Sequence, residues 1–419
     1  MSLNAQIRTL RSVFVAMAGV QLAMAATGTM VPIAFAEIGA TQEAASVAAS
    51  AFSAGFLVGC FFVARFIANI GYIRAFTAAT SIATAAALLF FLLSSPLVLI
   101  LLRFLTGLAT AALFSIGGAW INETAEQYTR GRVLAIYAIV TGIVSVFSQL
   151  LVFVVPDDIH GAFVLVALVY CVTIMVIATT RTNPPDTGSK ATMRIKGVIR
   201  EAPAAVAGIF AMGIVSTTIL SVAPYNAAKL GIDYRDIALM IGAIYLGRVL
   251  FQYPLGLLSD TMDRRIVVFA TSLICASVLL LVAILTDPDY VPEPFQYLSW
   301  GYFVLIALMI SLGGTLLPLY SLLVAHALDR TEPQFVASSV VTMLFLWTIA
   351  SVSGPLIANV FTAMYGDNAL HWVNFVVMLI FVLFLALRIW FVEGVSRSDK
   401  TSHIDMDPTS TEISPSTKN

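Results

Sequence analysis

The chain of 419 residues is 59% hydrophobic and 11% charged, with 22 basic and 23 acidic residues and a net charge of −1. Ordinary soluble domains carry about 25% charged residues, so a water-soluble fold is excluded, and without a clustered basic excess the chain is a poor partner for nucleic acid. Cys60, Cys171 and Cys275 all fall in apolar runs; an odd number so placed gives packing residues and no disulfide framework.

Residues 1–12 form a short amino terminus carrying Arg8 and Arg11, followed by an apolar run over 13–36. Ala34-Phe35-Ala36 imitates a signal-peptidase site, but the run is longer than the ~7–15 residues of a secretory core and reads as an uncleaved helix. Further spans are predicted near 44–68, 76–94, 96–121, 133–155 and 161–180, each in the roughly 17–25-residue range that crosses hydrocarbon. Residues 13–180 then make one six-helix bundle. Residues 181–203, with five basic residues, read as a cytoplasmic linker. Six more spans, near 204–228, 237–258, 266–286, 298–325, 335–364 and 369–392, make a second bundle over 204–392. The tail 393–419, rich in Ser, Thr and Asp, has too little apolar surface to fold. The expected fold class is therefore an all-α integral membrane protein with twelve transmembrane helices.

With the amino terminus inside, 18 of the 22 basic residues are cytoplasmic, only Lys229 and Arg235 lie outside, and Arg103 and Arg248 fall within spans. The positive-inside rule thus places both termini in the cytoplasm. The lipid bilayer is the first partner.

Polar residues inside the spans mark the candidate sites. In the fourth span Arg103 lies about a third of the way in from the outer face, and Gly107 with Ala111 makes a small-residue stripe that lets another helix approach. On the fifth, Thr141, Ser145 and Gln149 are spaced by four and share a face, either as a cavity wall or, for the hydroxyls, bonded back to their own helix. The seventh span contains Pro224, whose missing N–H leaves backbone to be satisfied by neighbours or water, beside Tyr225 and Asn226. That suits an outer gate.

From Ile237 to Leu258 there are 22 residues with one charge, Arg248, close to the middle. A central arginine costs roughly 2.5–3.5 kcal/mol on insertion scales and usually faces a protein interior or cavity. Tyr245, Arg248 and Gln252 stand at i, i+3 and i+7 on one helix face, and a guanidinium fork matches a carboxylate, phosphate or sulfonate. The alternative is a structural arginine bonded to helix carbonyls. The tenth span holds Gly313, Gly314 and Pro318 and the eleventh Ser353, Gly354 and Pro355, as bending points or as packing glycines. No Asp or Glu lies near the centre of any span. Zinc spacing, a P-loop and a G-x-S-x-G elbow are absent, so neither an ATP-driven pump nor a membrane hydrolase is supported.

Gly256-Leu257-Leu258-Ser259-Asp260-Thr261-Met262-Asp263-Arg264-Arg265 resembles the loop signature of the major facilitator superfamily, G-x-L-a-D-r-x-G-r-r, with Asp263 where the family has glycine. A decayed copy lies at an offset of 192 residues, aligning Gly55 with Gly247; it keeps Gly71 but has Ala68 and Asn69 in place of the acid and arginine, which puts the first half's charge clamp in doubt. Arg103 to Gly107 resembles the family's R-x-x-x-G signature, implying a coupling or gating role. Glu123 with Arg130-Gly131-Arg132 resembles its E…R-G-R loop, implying an inward-side latch. Drug antiporters of the family carry a Gly-Pro signature on the fifth span; here there is only Gly142. N-E-T…T-R-G-R-V-L-A-I-Y, L-P-L-Y-S…A-H and S-G-P-L-I-A resemble the YcaD-like bacterial group.

These readings converge on a secondary-active transporter of a small organic anion in a bacterial inner membrane, working by alternating access. It is expected to be a monomer without cofactor, metal or enzymatic activity. Substrate contacts are expected from Arg248, Tyr245, Gln252, Tyr225 and Gln149; coupling or gating from Arg103, Pro224, Gly354 and Pro355; and conformational switching from Asp260, Arg264, Arg265, Glu123, Arg130 and Arg132. Proton-linked symport requires that the anion or a helix-end group carry the proton; uniport and exchange are alternatives. Efflux of amphipathic compounds is the competing transport function, and a non-transporting sensor or assembly factor the competing class.

Overall fold

A computed structural model of the chain describes residues 3–126, 129–154, 159–180, 193–287 and 300–391. Among the described residues, twelve helices are long and apolar enough to cross a membrane: α1 (Gln6–Glu37), α2 (Gln42–Ile70), α3 (Tyr72–Leu92), α4 (Pro96–Thr124), α5 (Arg132–Phe153), α6 (Ile159–Ala178), α7 (Pro203–Lys229), α8 (Tyr234–Thr261), α9 (Arg264–Leu285), α10 (Trp300–Leu328), α11 (Pro333–Tyr365) and α12 (Ala369–Phe391). Helix α1 runs back without interruption to Leu3, so Arg8 and Arg11 extend a helix in place of a loop. Within the segment expected as linker, Ile195–Glu201 forms a short helix, fastened by a two-pronged Arg194–Glu201 pair at 2.6 and 3.0 Å. Residues 181–192 and the tail expected over 393–419 lie outside the described residues.

Helix ends follow local chemistry. Thr41 caps α2 by accepting from the Ala44 N–H, and Asp233 and Asp263 cap α8 and α9 from the Arg235 and Arg265 N–H groups. Three spans are interrupted: α5 at Gln149, α7 at Val222, one residue before the helix resumes at Ala223-Pro224, and α10 at Leu317-Pro318. Proline explains the last two. In α5, with no proline, Thr141, Ser145 and Ser148 each bond back to a carbonyl three or four residues earlier, a pattern that bends helices.

The helices form two six-membered bundles with the same internal packing. In the first, Gly55 of α2 lies against the Phe104 carbonyl of α4, and Gly107 of α4 against the Phe52 carbonyl of α2. In the second, Gly247 of α8 meets the Ile310 carbonyl of α10, and Gly313 meets that of Ile244. Neither pair of backbones could approach so closely with a Cβ between them. Gly55 and Gly247 therefore correspond in space as they do in sequence.

The bundles join along α2–α11 and α5–α8. With twelve spans, Leu3 and Phe391 emerge at one end, here the terminal end. At the opposite, far end, the first bundle's core extends onto Tyr225, Ile237 and Ala238 of the second, and Ala49, Val222, Ala358 and Leu370 form a smaller apolar cluster across the seam. The seam between the bundles is closed at the far end.

Candidate functional site

Arg248 sits in the middle of α8, 8% exposed, and its Nε donates to the side-chain oxygen of Gln252, also 8% exposed, at 2.9 Å. The i, i+4 spacing brings the two together on one helix face, and the bond orients the guanidinium. Tyr245 is half-buried one turn away. The helix bearing all three lines the seam: Gly142 of α5 faces the Val249 side chain, and Gly242 of α8 faces the Gln149 side chain.

On the other side of the seam the polar surface belongs to α5 and α1 together. Thr29 Oγ1 donates to Gln149 Oε1 at 3.0 Å, Gln149 Nε2 donates to Ser148 Oγ at 3.0 Å, and Gln21 Nε2 donates to Ser145 Oγ at 2.8 Å. Gln149 occupies the interruption of α5, where its amide is held by another helix. Gln21 and Thr29 were not among the expected residues; with Thr27 they are the polar side chains of the apolar run 13–36, and their spacing of eight was the available signal.

Arg103 is placed elsewhere. Its guanidinium lies 4.5 Å from the Phe52 ring centre, inside the first bundle among α1, α2, α3, α4 and α6, at a residual cavity of about 10 Å³ that Phe90 and Tyr170 also line. The structure does not bring it beside Arg248 on the seam.

The far end holds Tyr225 and Pro224. The Tyr225 hydroxyl donates to the Ala40 carbonyl at 2.7 Å, and Gln42 Nε2 donates to Thr362 Oγ1 at 2.6 Å; both bonds join one bundle to the other. Tyr225 thus belongs to the far-end closure, separate from the group around Arg248. Pro224 opens the short segment Ala223–Lys229 that positions it. Helix α11 continues unbroken through Gly354 and Pro355, and Gly354 packs against the Ile214 carbonyl of α7, a packing role.

At the terminal end, Arg264 is 1% exposed and donates to Asp329 at 2.7 Å, to the Ala325 carbonyl at 3.0 Å and to Asp260 at 2.9 Å. The cluster locks the α8–α9 turn onto the end of α10. Arg265 pairs with Asp263 at 2.9 Å. Just beyond α10, Arg330 is pushed down from the usual arginine range by burial first, then by the charges of Arg265 and Arg388. Glu123 and Arg132 are exposed, and Arg130 reaches toward the Ala125 carbonyl at 3.5 Å. No group of three His, Cys, Asp or Glu that could hold a metal occurs among the described residues.

The family model of the Major Facilitator Superfamily matches residues 13–206 and 205–413. Proteins of Salmonella newport and Salmonella typhi, each described as an uncharacterized MFS-type transporter YcaD, are 24% identical over 366 residues, covering 87% of this chain and 91% of theirs. In structure the chain resembles the crystal structure of the nucleoside transporter NupG, with a TM-score of 0.71 at 12% identity, over 91% of this chain and 99% of that one.

Proposed function

We propose that this chain, which belongs to the Major Facilitator Superfamily, carries a small organic anion across a bacterial inner membrane by alternating access between its two bundles, residues 13–180 and 204–392. Membrane transport follows from the family; the anion rests on Arg248. A buried guanidinium at mid-span, oriented by Gln252 and carried on a helix that lines the seam, is the observation that supports it. Its insertion cost of roughly 2.5–3.5 kcal/mol is offset when a ligand supplies the opposite charge. The described carboxylates stand toward helix ends and turns, Glu37, Asp236, Asp260 and Asp329 among them, which leaves the midplane electropositive. Tyr245 and Gln149 supply hydrogen bonds around the anion; Arg103 supports the first bundle from within.

The terminal end, which carries Arg74, Arg130, Arg264, Arg265, Arg330 and Arg388, is cytoplasmic by the positive-inside rule. The far-end closure then makes this an outward-closed state, with Tyr225, Gln42 and Pro224 in the outer gate and the Asp260–Arg264–Asp329 cluster in the inner switch. Proton-linked symport fits when the anion itself carries the proton.

A thermal-shift screen of the purified protein tests this reading, using carboxylates, sulfonates, phosphates, cationic drugs and neutral solutes, with nucleosides among the last because NupG is a nucleoside transporter. A ligand that binds the folded state raises its melting temperature. The expected result is stabilisation by an anion in the wild type and none in Arg248→Gln. Stabilisation by cationic or neutral amphiphiles with none by any anion, or stabilisation by an anion that is equal in Arg248→Gln, would replace this reading with efflux of amphipathic compounds.

A further inference from the structure

The two bundles share their helix packing but not their interiors. Because Gly107 meets the Phe52 carbonyl as Gly313 meets that of Ile244, Phe52 and Ile244 are equivalent, and likewise Arg103 and Met309. The offset of 192 residues that aligns the α3 and α9 turns pairs Phe90 with Val282. In the first bundle Phe52, Phe90 and Arg103 fill the interior and leave about 10 Å³. In the second, Ile244, Val282 and Met309 line a cavity of about 370 Å³ that reaches the far end between α7, α8, α9, α10 and α12.

One wall of this cavity carries Asp236, where the first bundle has Ala44 at the equivalent place. Asp236 accepts from the Tyr302 hydroxyl at 3.1 Å, and no basic side chain lies within ion-pair distance of it among the described residues. Asp367, at the rim, is already paired with Lys229 at 3.0 Å. The local balance is therefore one negative charge above an apolar chamber that also holds the His371 ring and two flexible methionines, Met240 and Met309. Eight helical residues separate Asp236 from Ile244, about 12 Å of depth.

We infer that this cavity is a second ligand site, distinct from the Arg248 surface, that takes an amphipathic monocation: an ammonium or guanidinium against Asp236 and an apolar body extending toward Ile244 and Met309. The first bundle already shows the complement, since the guanidinium of Arg103 and the Phe52 ring occupy the equivalent space.

The test is ligand binding by the full chain in lipid nanodiscs, read by calorimetric titration and thermal shift. The probes are 4-phenylbutylamine and its neutral and acidic counterparts, 4-phenylbutanol and 4-phenylbutyrate. The amine is expected to bind the wild type most tightly of the three. Asp236→Asn should weaken the amine about tenfold or more, the loss expected when a charge-assisted bond is removed, and leave the alcohol unchanged. The double variant Ile244→Phe/Val282→Phe, which installs the first bundle's aromatics, should abolish binding of both. Absence of amine binding at millimolar concentration, or equal binding by wild type and Asp236→Asn, would overturn the inference. Asp236→Asn decides the matter alone if the double variant does not fold. Since the readout is binding without flux, the result stands apart from whether an anion moves past Arg248.

Discussion

Tyr72 and Arg264 occupy the same position in the two half-repeats, and each fastens a turn to a neighbouring helix by different chemistry. Arg264 is clamped by Asp329, Asp260 and the Ala325 carbonyl. Tyr72 packs edge-on against Trp120, with ring centres 6.2 Å apart. The preceding residues differ as well: Gly71 turns with φ +80°, whereas Asp263 keeps φ −62° and caps α9 with its side chain. A glycine is therefore needed in the first turn and dispensable in the second.

The Arg264 clamp should divide into a structural and a switching part. The Asp329 side chain is 2% exposed, and Asp329→Ala leaves a buried arginine short of its partner, a loss of about 3–5 kcal/mol. Asp260 is 36% exposed and should contribute little to stability. Asp260→Asn is expected to slow transport while leaving ligand affinity nearly unchanged; melting curves and binding isotherms of the two variants separate these effects, and a large affinity loss in Asp260→Asn would remove it from the switch.

The glycine contacts between α8 and α10 should be intolerant of any side chain. Gly313→Ala drives a methyl into the Ile244 carbonyl, and overpacking of this kind costs about 1–3 kcal/mol or more. Gly28, in the middle of α1, is the control, since an added methyl there would meet nothing within 4 Å. Gly28→Ala should be neutral or stabilising by about 0.4–1 kcal/mol. Thermal unfolding in detergent compares them, and equal stability would contradict the packing described.

The far-end closure should be adjustable without damage to the fold. Tyr225→Phe removes the bond to the Ala40 carbonyl, and a single hydrogen bond contributes about 0.5–1.5 kcal/mol, a shift of roughly 2- to 10-fold between closed and open far ends. Spin labels placed near residues 40 and 366 should report more of the open population in this variant. An unchanged distance distribution would mean that the bond does not hold the gate.

Much of the architecture was legible in the chain because each span is an apolar run of membrane length, and the basic residues crowd one set of turns. The ends were misjudged by a few residues because helices continue past the apolar run: Gln6 and Arg8 belong to α1, and Thr41, Asp233 and Asp263 cap helices from outside it. The repeat was visible through Gly55 and Gly247, whose role is a backbone contact that only glycine permits. Side-chain partners across helices were not. Nothing local distinguishes Arg103, stacked on Phe52 inside one bundle, from Arg248 on a helix that lines the seam. The engagement of Gln149 by Thr29 spans 120 positions, and the interruption of α5 at Gln149 has no proline to announce it.

Transport by Arg248 variants tests the account most directly. Proteoliposomes loaded with the anion that stabilises the purified protein would be assayed for counterflow with wild type, Arg248→Lys and Arg248→Gln, each first shown to retain its fold. Loss of the anion contact predicts that Arg248→Gln abolishes counterflow and that Arg248→Lys, which keeps the charge but not the planar fork, retains part of it. Counterflow at the wild-type rate in Arg248→Gln would contradict the assignment and make the arginine a structural residue of α8.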